Sequence, residues 1–480
     1  MALAANRARP PVILGEARGL IECRAGPQQR RMTPRETRDE HQGRRLEPTH
    51  SPELRIVPAQ EILPAALDQD ALRVVSRLQR HGYQAYLVGG CVRDLLLGRR
   101  PKDFDIGTSA HPYQVKRLFK NCWIIGRRFR LAHVRFGAKT IEVATFRRQL
   151  SAAELAAPEE AGEGIVVDEL GDVDKMIHRD NTFGTPEEDA FRRDFTINAL
   201  FYDIADFSII DYAGGLKDLE ARIVRCIGEP VERFQEDPVR MIRAVSMASR
   251  LDFTIDAPID AAIAAHRGEI ARSAPARLIE EFYKLLRAGS SEQAFRMLAE
   301  RRLLEPIASE LQQGAGDALW RSLAELDVYR RHFEETPDTL TNAVLLGTLL
   351  VPLGYDFRSP PVVFDENGKP KKEPALSLGL LPLARRDVER LRQILSLQRR
   401  LTDLHLSPRG RRALTHRGPF REALTWFEIH GHAPEVLEHW RGFIEAAKTF
   451  VPGEEEAVEG GHPPRRRRRR RRRRPFRPVT

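Results

Sequence analysis

The chain has 480 residues, 41% of them apolar, and its 78 lysines and arginines outweigh 68 aspartates and glutamates for a net charge of +10. That length exceeds one compact core and predicts two or three domains, while the apolar share is ordinary for a soluble protein. No run nears about eighteen consecutive apolar residues, and Arg, Pro and Gly interrupt the first 30, which argues against a membrane span and a secretory signal. Cys23, Cys91, Cys122 and Cys226 stand apart without a C-x-x-C pair, so neither a disulfide framework nor a zinc site is indicated, and a reducing cytoplasm fits.

Residues 1–55 are rich in Arg, Pro, Gly and Gln, show no helical or strand periodicity and are expected to be disordered, with Met32 an alternative start. From residue 62 to 80 the apolar spacing is helical. The block 82–148 then alternates: a strand YQAYLV running into Gly89 and Gly90, a short helix CVRDLLLG, a strand DFDIGT, a helix PYQVKRLFKN, and the strands WIIG, LAHVRFG and TIEVATFR. This predicts a small mixed sheet with helices packed on it. Residues 150–186 are polar and acidic and read as a long surface excursion. EEDAFRRDFTINALFYDI reads as helix, FSIIDYAGG as strand and turn, and from residue 231 nearly everything is helical, interrupted by a loop over 353–376. Ten arginines, 465–474, follow a Gly/Pro/Glu-rich linker at 452–464; they cannot fold on themselves, because like charges repel and nothing apolar is there to bury. This tail reads as a sequence-blind contact to RNA phosphates, set against a low-complexity expansion tolerated at a terminus.

Candidate chemistry begins with Asp103 and Asp105, which in a strand of period two share one face. Two carboxylates a few ångströms apart repel unless a cation lies between them, and hard oxygen ligands of this kind suit Mg²⁺ carrying a nucleotide's phosphates. Glu142 shares its strand face with Ala144 and Phe146; an acid among apolar neighbours at a sheet centre is unusual, which makes it the candidate auxiliary carboxylate, against the alternative of an edge-strand Glu in solvent. On the helix read at 187–204, Asp194 and Asn198 lie four apart on one face. Farther on, Asp237 precedes Pro238 as a cap to a helix that carries Arg240 and Arg243 three apart. Taken singly, each of these is also an ordinary solvated helix or strand end.

Together they are more specific. The succession of apolar strand, Gly-Gly, short helix and D-x-D strand within residues 82–108 resembles the nucleotidyltransferase core of the polymerase-beta superfamily, in the branch that holds the bacterial poly(A) polymerases and the tRNA CCA-adding enzymes. The resemblance implies an α+β fold, with a polymerase-beta-like head (56–212), a helical nucleotide- and RNA-binding neck (213–300) and a helical RNA-binding body (301–451), between disordered segments 1–55 and 452–480. It implies that Asp103 and Asp105 are catalytic and hold Mg²⁺, that Asp194 is an acid beside them, and that Gly89, Gly90 and Arg93 belong to the nucleotide site. The family's R-R-D-x-x-x-N element would place Arg193, Asp194 and Asn198 at the incoming nucleotide's sugar and triphosphate. Its E-D-x-x-R-x-x-R element would present Asp237 and Arg240 to the base edge, so that the protein rather than a template selects the nucleotide, with Arg243 facing phosphate or sugar. One position departs: the family usually continues R-A-x-R-F, whereas this chain has R-A-V-S-M, with Ser246 where a third arginine is expected, and a serine cannot replace a bidentate cation.

Within the family, IIGRRFRLAHVRFG, ARLIEEFYKLLRAG at 276–289 and the arginine tail look like the bacterial poly(A) polymerase version. The resulting reading is template-independent, Mg²⁺-dependent transfer of AMP from ATP to RNA 3′ ends. Two alternatives stay open. CCA addition to tRNA is one; the lack of a His-Asp dipeptide among 14 histidines excludes only the subtype with a phosphohydrolase domain. An RNA-binding homologue with impaired catalysis is the other. RNA 3′ ends and ATP are the implied partners, and RNA-decay or RNA-chaperone proteins are a further expectation.

Overall fold

The computed structural model describes residues 54–59, 62–126, 130–148, 183–357 and 376–449. The expected N-terminal extension before residue 54, most of the excursion at 150–186, most of the loop at 353–376 and the arginine tail lie outside the described residues.

Eight strands make one mixed sheet in the order β1-β8-β7-β2-β3-β6-β5-β4. They are β1 (Arg55–Pro58), β2 (Ala85–Val88), β3 (Asp105–Thr108), β4 (Cys122–Ile125), β5 (Leu131–Phe136), β6 (Lys139–Thr145), β7 (Leu200–Asp203) and β8 (Ser208–Asp211). Neighbours run antiparallel except β3 and β6, which are parallel. The sequence of β6 explains its form: Ile141, Val143 and Thr145 are buried on one face while Thr140 and Glu142 are exposed on the other. That is the period-two pattern of a sheet covered on one side. Helix α1 (Gln69–Arg80) buries Ala71, Val74, Val75 and Leu78 at helical spacing, and Asp68 caps it by accepting from the N–H groups of Asp70 and Ala71. The short helices α2 (Gly90–Leu96) and α3 (Pro112–Leu118) follow β2 and β3.

Three expectations need correction. The helix read from residue 62 starts at Gln69, because a 3₁₀ turn at Pro64–Ala66 intervenes and Asp68 then caps. Strand β1 was not anticipated; all four of its residues are exposed, so it carries no alternation, and it is held by backbone pairing with β8. The largest correction concerns the continuous helix at 187–204. The helix Pro186–Phe191 stops there, a 3₁₀ turn follows at Thr196–Asn198, and the chain enters β7. Pairing with a distant segment overrides helical propensity: Phe195 bridges Cys226, Thr196 N–H donates to the Arg225 carbonyl, and Ile227 N–H donates to the Asp194 carbonyl.

From residue 230 the described chain is helical apart from short strands and loops. At the centre of the body, the helix Asn342–Leu350 buries Ala343 through Leu350, almost its whole circumference. Gly347 lets the helix Phe420–His430 pack closely, since a Cβ there would stand 2.4 Å from the Trp426 ring. One apolar cluster runs from Ile62 in the head to Trp440 in the body. Among the described residues no helix is long and apolar enough to cross a membrane.

Candidate active site

Strand β2 ends at Gly89, whose φ of +76° only glycine adopts without strain, so the chain turns directly into α2. A Cβ at Gly89 would lie 2.8 Å from Arg193 Nη1, so a larger residue there would also push the Arg193 guanidinium aside. One turn into α2, Arg93 is only 2% exposed. Its Nε and Nη2 donate to Asp94 Oδ1 at 2.8 and 2.6 Å, its Nη1 donates to Asn198 Oδ1, and the Met247 sulfur lies 3.3 Å from Nη1. Burial pushes the Arg93 pKa down, and Asp94 acts against that; an arginine so held remains a cation.

Arg193 donates to Asp189 Oδ2 at 2.9 Å and to the Asn198 carbonyl at 3.1 Å, with its guanidinium 5.3 Å from the centre of the Phe201 ring. The residues expected on one helical face, Asp194 and Asn198, therefore come together through a bend and a 3₁₀ turn. Asp194 accepts from Arg240 Nε at 2.8 Å, while its Oδ2 lies 2.9 Å from Arg243 Nη1. That second contact is an ion pair outside hydrogen-bond geometry, so Oδ2 is buried with its hydrogen-bonding capacity unmet. Arg240 also bonds Glu236 at 2.8 Å. Asp237 is clasped by Arg277 through two hydrogen bonds of 3.0 and 2.7 Å, and accepts from Val239 N–H at 3.3 Å. It thus sits at the start of the helix Val239–Leu251, with Pro238 as the capping residue proper. Asp237 and Arg240 each have their own counter-ions.

Gly89, Arg93, Arg193, Asp194, Asn198, Asp237, Arg240 and Arg243 line one cleft of about 620 Å³, together with Asp103 and Asp105. Asp103 stands before β3 rather than in it, yet both aspartates face the cleft. No hydrogen bond or ion pair engages either carboxylate among the described residues. Burial, then Glu142, then Asp103 push the Asp105 pKa up to about 6, opposed by Arg193. Although the residue is open to solvent, cleft walls and like charges crowd its carboxylate. Glu142 is the register partner of Asp105 across the β3–β6 pair, so β6 is an interior strand and not an edge. Its side chain is half-exposed and lies 3.6 Å from His133 Nε2, and it does not line the cleft.

Two paired but unengaged carboxylates facing a cationic wall fit a hard divalent cation. Among the described residues no three His, Cys, Asp or Glu side chains gather as a metal group, so the protein offers a partial oxygen shell. Mg²⁺ suits such a shell, since one or two carboxylates usually suffice when phosphates and water complete it.

Sequence reasoning missed several cleft residues. Asp94, partner of the buried Arg93, stands in the quoted CVRDLLLG without having been given a role. Lys102 and Arg192 also line the cleft. The most informative omission is Arg250. Ser246 does not line the cleft, but Arg250, one turn farther along the same helix, does, with its Nη2 at 3.3 Å from Asp94 Oδ2. Counting the helix face beyond Arg243 would have found it, because positions seven apart return to nearly the same angle.

Comparison with known proteins sets these residues in context. Residues 85–225 match the poly A polymerase head domain, residues 252–315 the probable RNA and SrmB-binding site of polymerase A, and residues 378–475 the arginine-rich C-terminus of polymerase A. The chain is 46% identical over 260 residues to poly(A) polymerase I of Salmonella typhi, a match covering 53% of this chain and 54% of that one. To the CCA-adding enzyme of Bacillus subtilis it is 37% identical over 237 residues, 49% of this chain and 55% of that one. It therefore spans about half the length of the curated relatives it matches. Among solved structures, a tRNA-processing enzyme in an apo form is 22% identical with a TM-score of 0.50, over 82% of this chain and 94% of that one, a likeness of fold alone.

Proposed function

Because the chain belongs to the nucleotidyltransferase family of the bacterial poly(A) polymerases and CCA-adding enzymes, we propose that it is a template-independent polynucleotide adenylyltransferase, adding AMP from ATP to RNA 3′ ends. The observation that carries this reading is the pair Asp103 and Asp105, left unengaged in a cleft walled by Arg93, Arg193, Arg240, Arg243 and Arg250. Such a cleft holds a triphosphate by its arginines and leaves carboxylates over for a cation.

The RNA 3′-hydroxyl attacks the α-phosphate in line; the new phosphodiester forms, the bond to the β-phosphate breaks and pyrophosphate leaves. Asp103 and Asp105 would hold Mg²⁺, which when bound lowers the pKa of the attacking hydroxyl and neutralises charge on the leaving pyrophosphate. Asp194 orients Arg240 and Arg243, the two arginines that would meet the incoming nucleotide. Asp237 and Arg240 present a fixed acceptor and donor to the base edge, each held by its own ion pair, a rigidity that suits selection without a template. Glu142 acts on Asp105 through its field and not as a ligand. Arg250 supplies the cation that Ser246 lacks. A cytoplasmic setting, and RNA-decay or RNA-chaperone proteins as partners, belong to the same proposal.

The test is an assay with ATP and CTP supplied separately, on an unstructured RNA and on a tRNA lacking its CCA end. A long homopolymeric tail from ATP on either RNA supports the reading. Stepwise CTP then ATP addition confined to the tRNA would establish the CCA-adding alternative, and binding without extension would leave an impaired homologue.

A further inference from the structure

The cleft does not account for one face of the sheet. Asp105 of β3 pairs in register with Glu142 of β6, Glu142 with His133 of β5, and His133 with Trp123 of β4. Side chains of register partners project on the same face, and the 3.6 Å approach of His133 Nε2 to Glu142 bears that out here. Their chain neighbours Ile106, Val143, Val134 and Cys122 are buried on the opposite, core-facing side. A straight row of side chains therefore leads from the cleft to the far edge of the sheet. With strands about 4.8 Å apart, Trp123 stands about 14 Å from Asp105.

Trp123 is 53% exposed, and Ile125, two residues on and on the same face, is 51% exposed. Edge strands are normally blunted with charge, so an open indole there needs an occupant. The ring enters no stacking or hydrogen-bonding contact among the described residues. Arg135 follows His133 on the same face of β5 and is exposed, which adds a cation beside the aromatic surface.

We propose that this face is the track for the last few nucleotides of the RNA primer, with a base stacked on Trp123 and a backbone phosphate near Arg135. The proposal rests on the adenylyltransferase reading, in which the 3′-hydroxyl must reach Asp103 and Asp105; the row provides a continuous surface back from that point. Stacking suits an enzyme that extends any 3′ end, since every base has a π-face and sequence is not read. A protein partner would have no reason to be aligned with the carboxylates.

The experiment uses the full chain and the variants Trp123→Ala and Trp123→Phe, with single-stranded oligonucleotides of increasing length as probes. RNA of several nucleotides should quench part of the tryptophan fluorescence, and Trp123→Ala should lose that part. Trp123→Ala should weaken RNA binding and raise the primer KM by about five-fold or more, while Trp123→Phe keeps most of the affinity. ATP affinity measured without RNA should match the parent. If Trp123→Ala binds and extends RNA like the parent, the track is wrong. If instead Trp123→Ala only dissolves a concentration-dependent dimer, the face joins two copies and the proposal falls. The two readings separate cleanly: adenylation with no Trp123 effect removes the track alone, whereas Trp123 quenching without adenylation removes the activity and keeps an RNA surface.

Discussion

Two crowded aspartates, Asp105 in the head and Asp327 in the helical body, meet opposite fates. Asp327 is 3% exposed, and burial pushes its pKa up, but its carboxylate accepts from Ser291 N–H at 2.7 Å, Ser291 Oγ at 2.8 Å and Glu292 N–H at 2.9 Å. It caps the helix Ser291–Glu300 from a neighbouring helix, and its lone pairs are spent on the fold. Asp105 also has its pKa raised by burial, yet its nearest charged company includes Glu142 and Asp103, and among the described residues no donor satisfies its carboxylate. The body uses a buried acid to hold itself together; the head keeps one in reserve. A carboxylate left unsatisfied beside like charges is tolerated where a ligand completes it.

The widest separation of the two should appear in kinetics. Asp105→Asn, and likewise Asp103→Asn, should lower kcat by at least about a thousand-fold, several kcal/mol in the barrier, because an amide cannot supply the anionic oxygen a cation needs. RNA binding, measured by filter retention, should hold. Activity within tenfold of the parent would remove both residues from the catalytic role. Asp327→Ala should do the reverse, leaving the chemistry of the cleft alone while lowering the unfolding free energy by about 2–4 kcal/mol in a denaturant titration, since buried N–H donors lose their acceptor. An unchanged denaturation midpoint would mean that solvent reaches Ser291 and Glu292 after all.

A smaller effect concerns the helix Val239–Leu251. Arg250→Ala should raise the KM for ATP about tenfold, and adding Ser246→Arg to that variant should recover part of the loss by returning a cation to the same helix. If Arg250→Ala binds ATP like the parent, Asp94 pairs with Arg250 for structural reasons only.

The same contrast marks what could be read from sequence. The unit from β2 through β3 was legible because its signals are local: an apolar run, a Gly-Gly turn, a short helix and alternation within residues 82–108. Asp103 and Asp105 share the cleft as the alternation suggested, although Asp103 stands outside the strand. What was lost depends on distant partners. The residues 192–200 have helical spacing, and only their pairing with residues 225–227 turns them into a bend and a strand. Strand β1 exists because β8 offers an unpaired edge, something RIVP does not announce. Arg240 and Asp237 were legible as neighbours and both line the cleft; that Asp194 and Arg277 would hold them apart was not legible.

The smallest effect is one of stability, and it tests the comparison most directly. In the metal-free protein the Asp105 carboxyl titrates at about 6, against about 3.9 for an aspartate in an unfolded chain. Between these values the folded state keeps a proton that the unfolded state has released. Stability must therefore fall as pH rises through that window, and level off above it. Asp105→Asn carries no titrating group, so with a chelator present the variant should overtake the parent between about pH 4 and 6 and stay ahead to pH 8. Water in the cleft damps the effect, so the gain in Tm should be about a few degrees at most. Adding Mg²⁺ and ATP should restore the parent and not the variant, since ligands that bind the folded state stabilise it. A variant less stable than the parent at pH 8 without metal would mean that the protein itself satisfies Asp105, and the head would then treat its acid as the body treats Asp327.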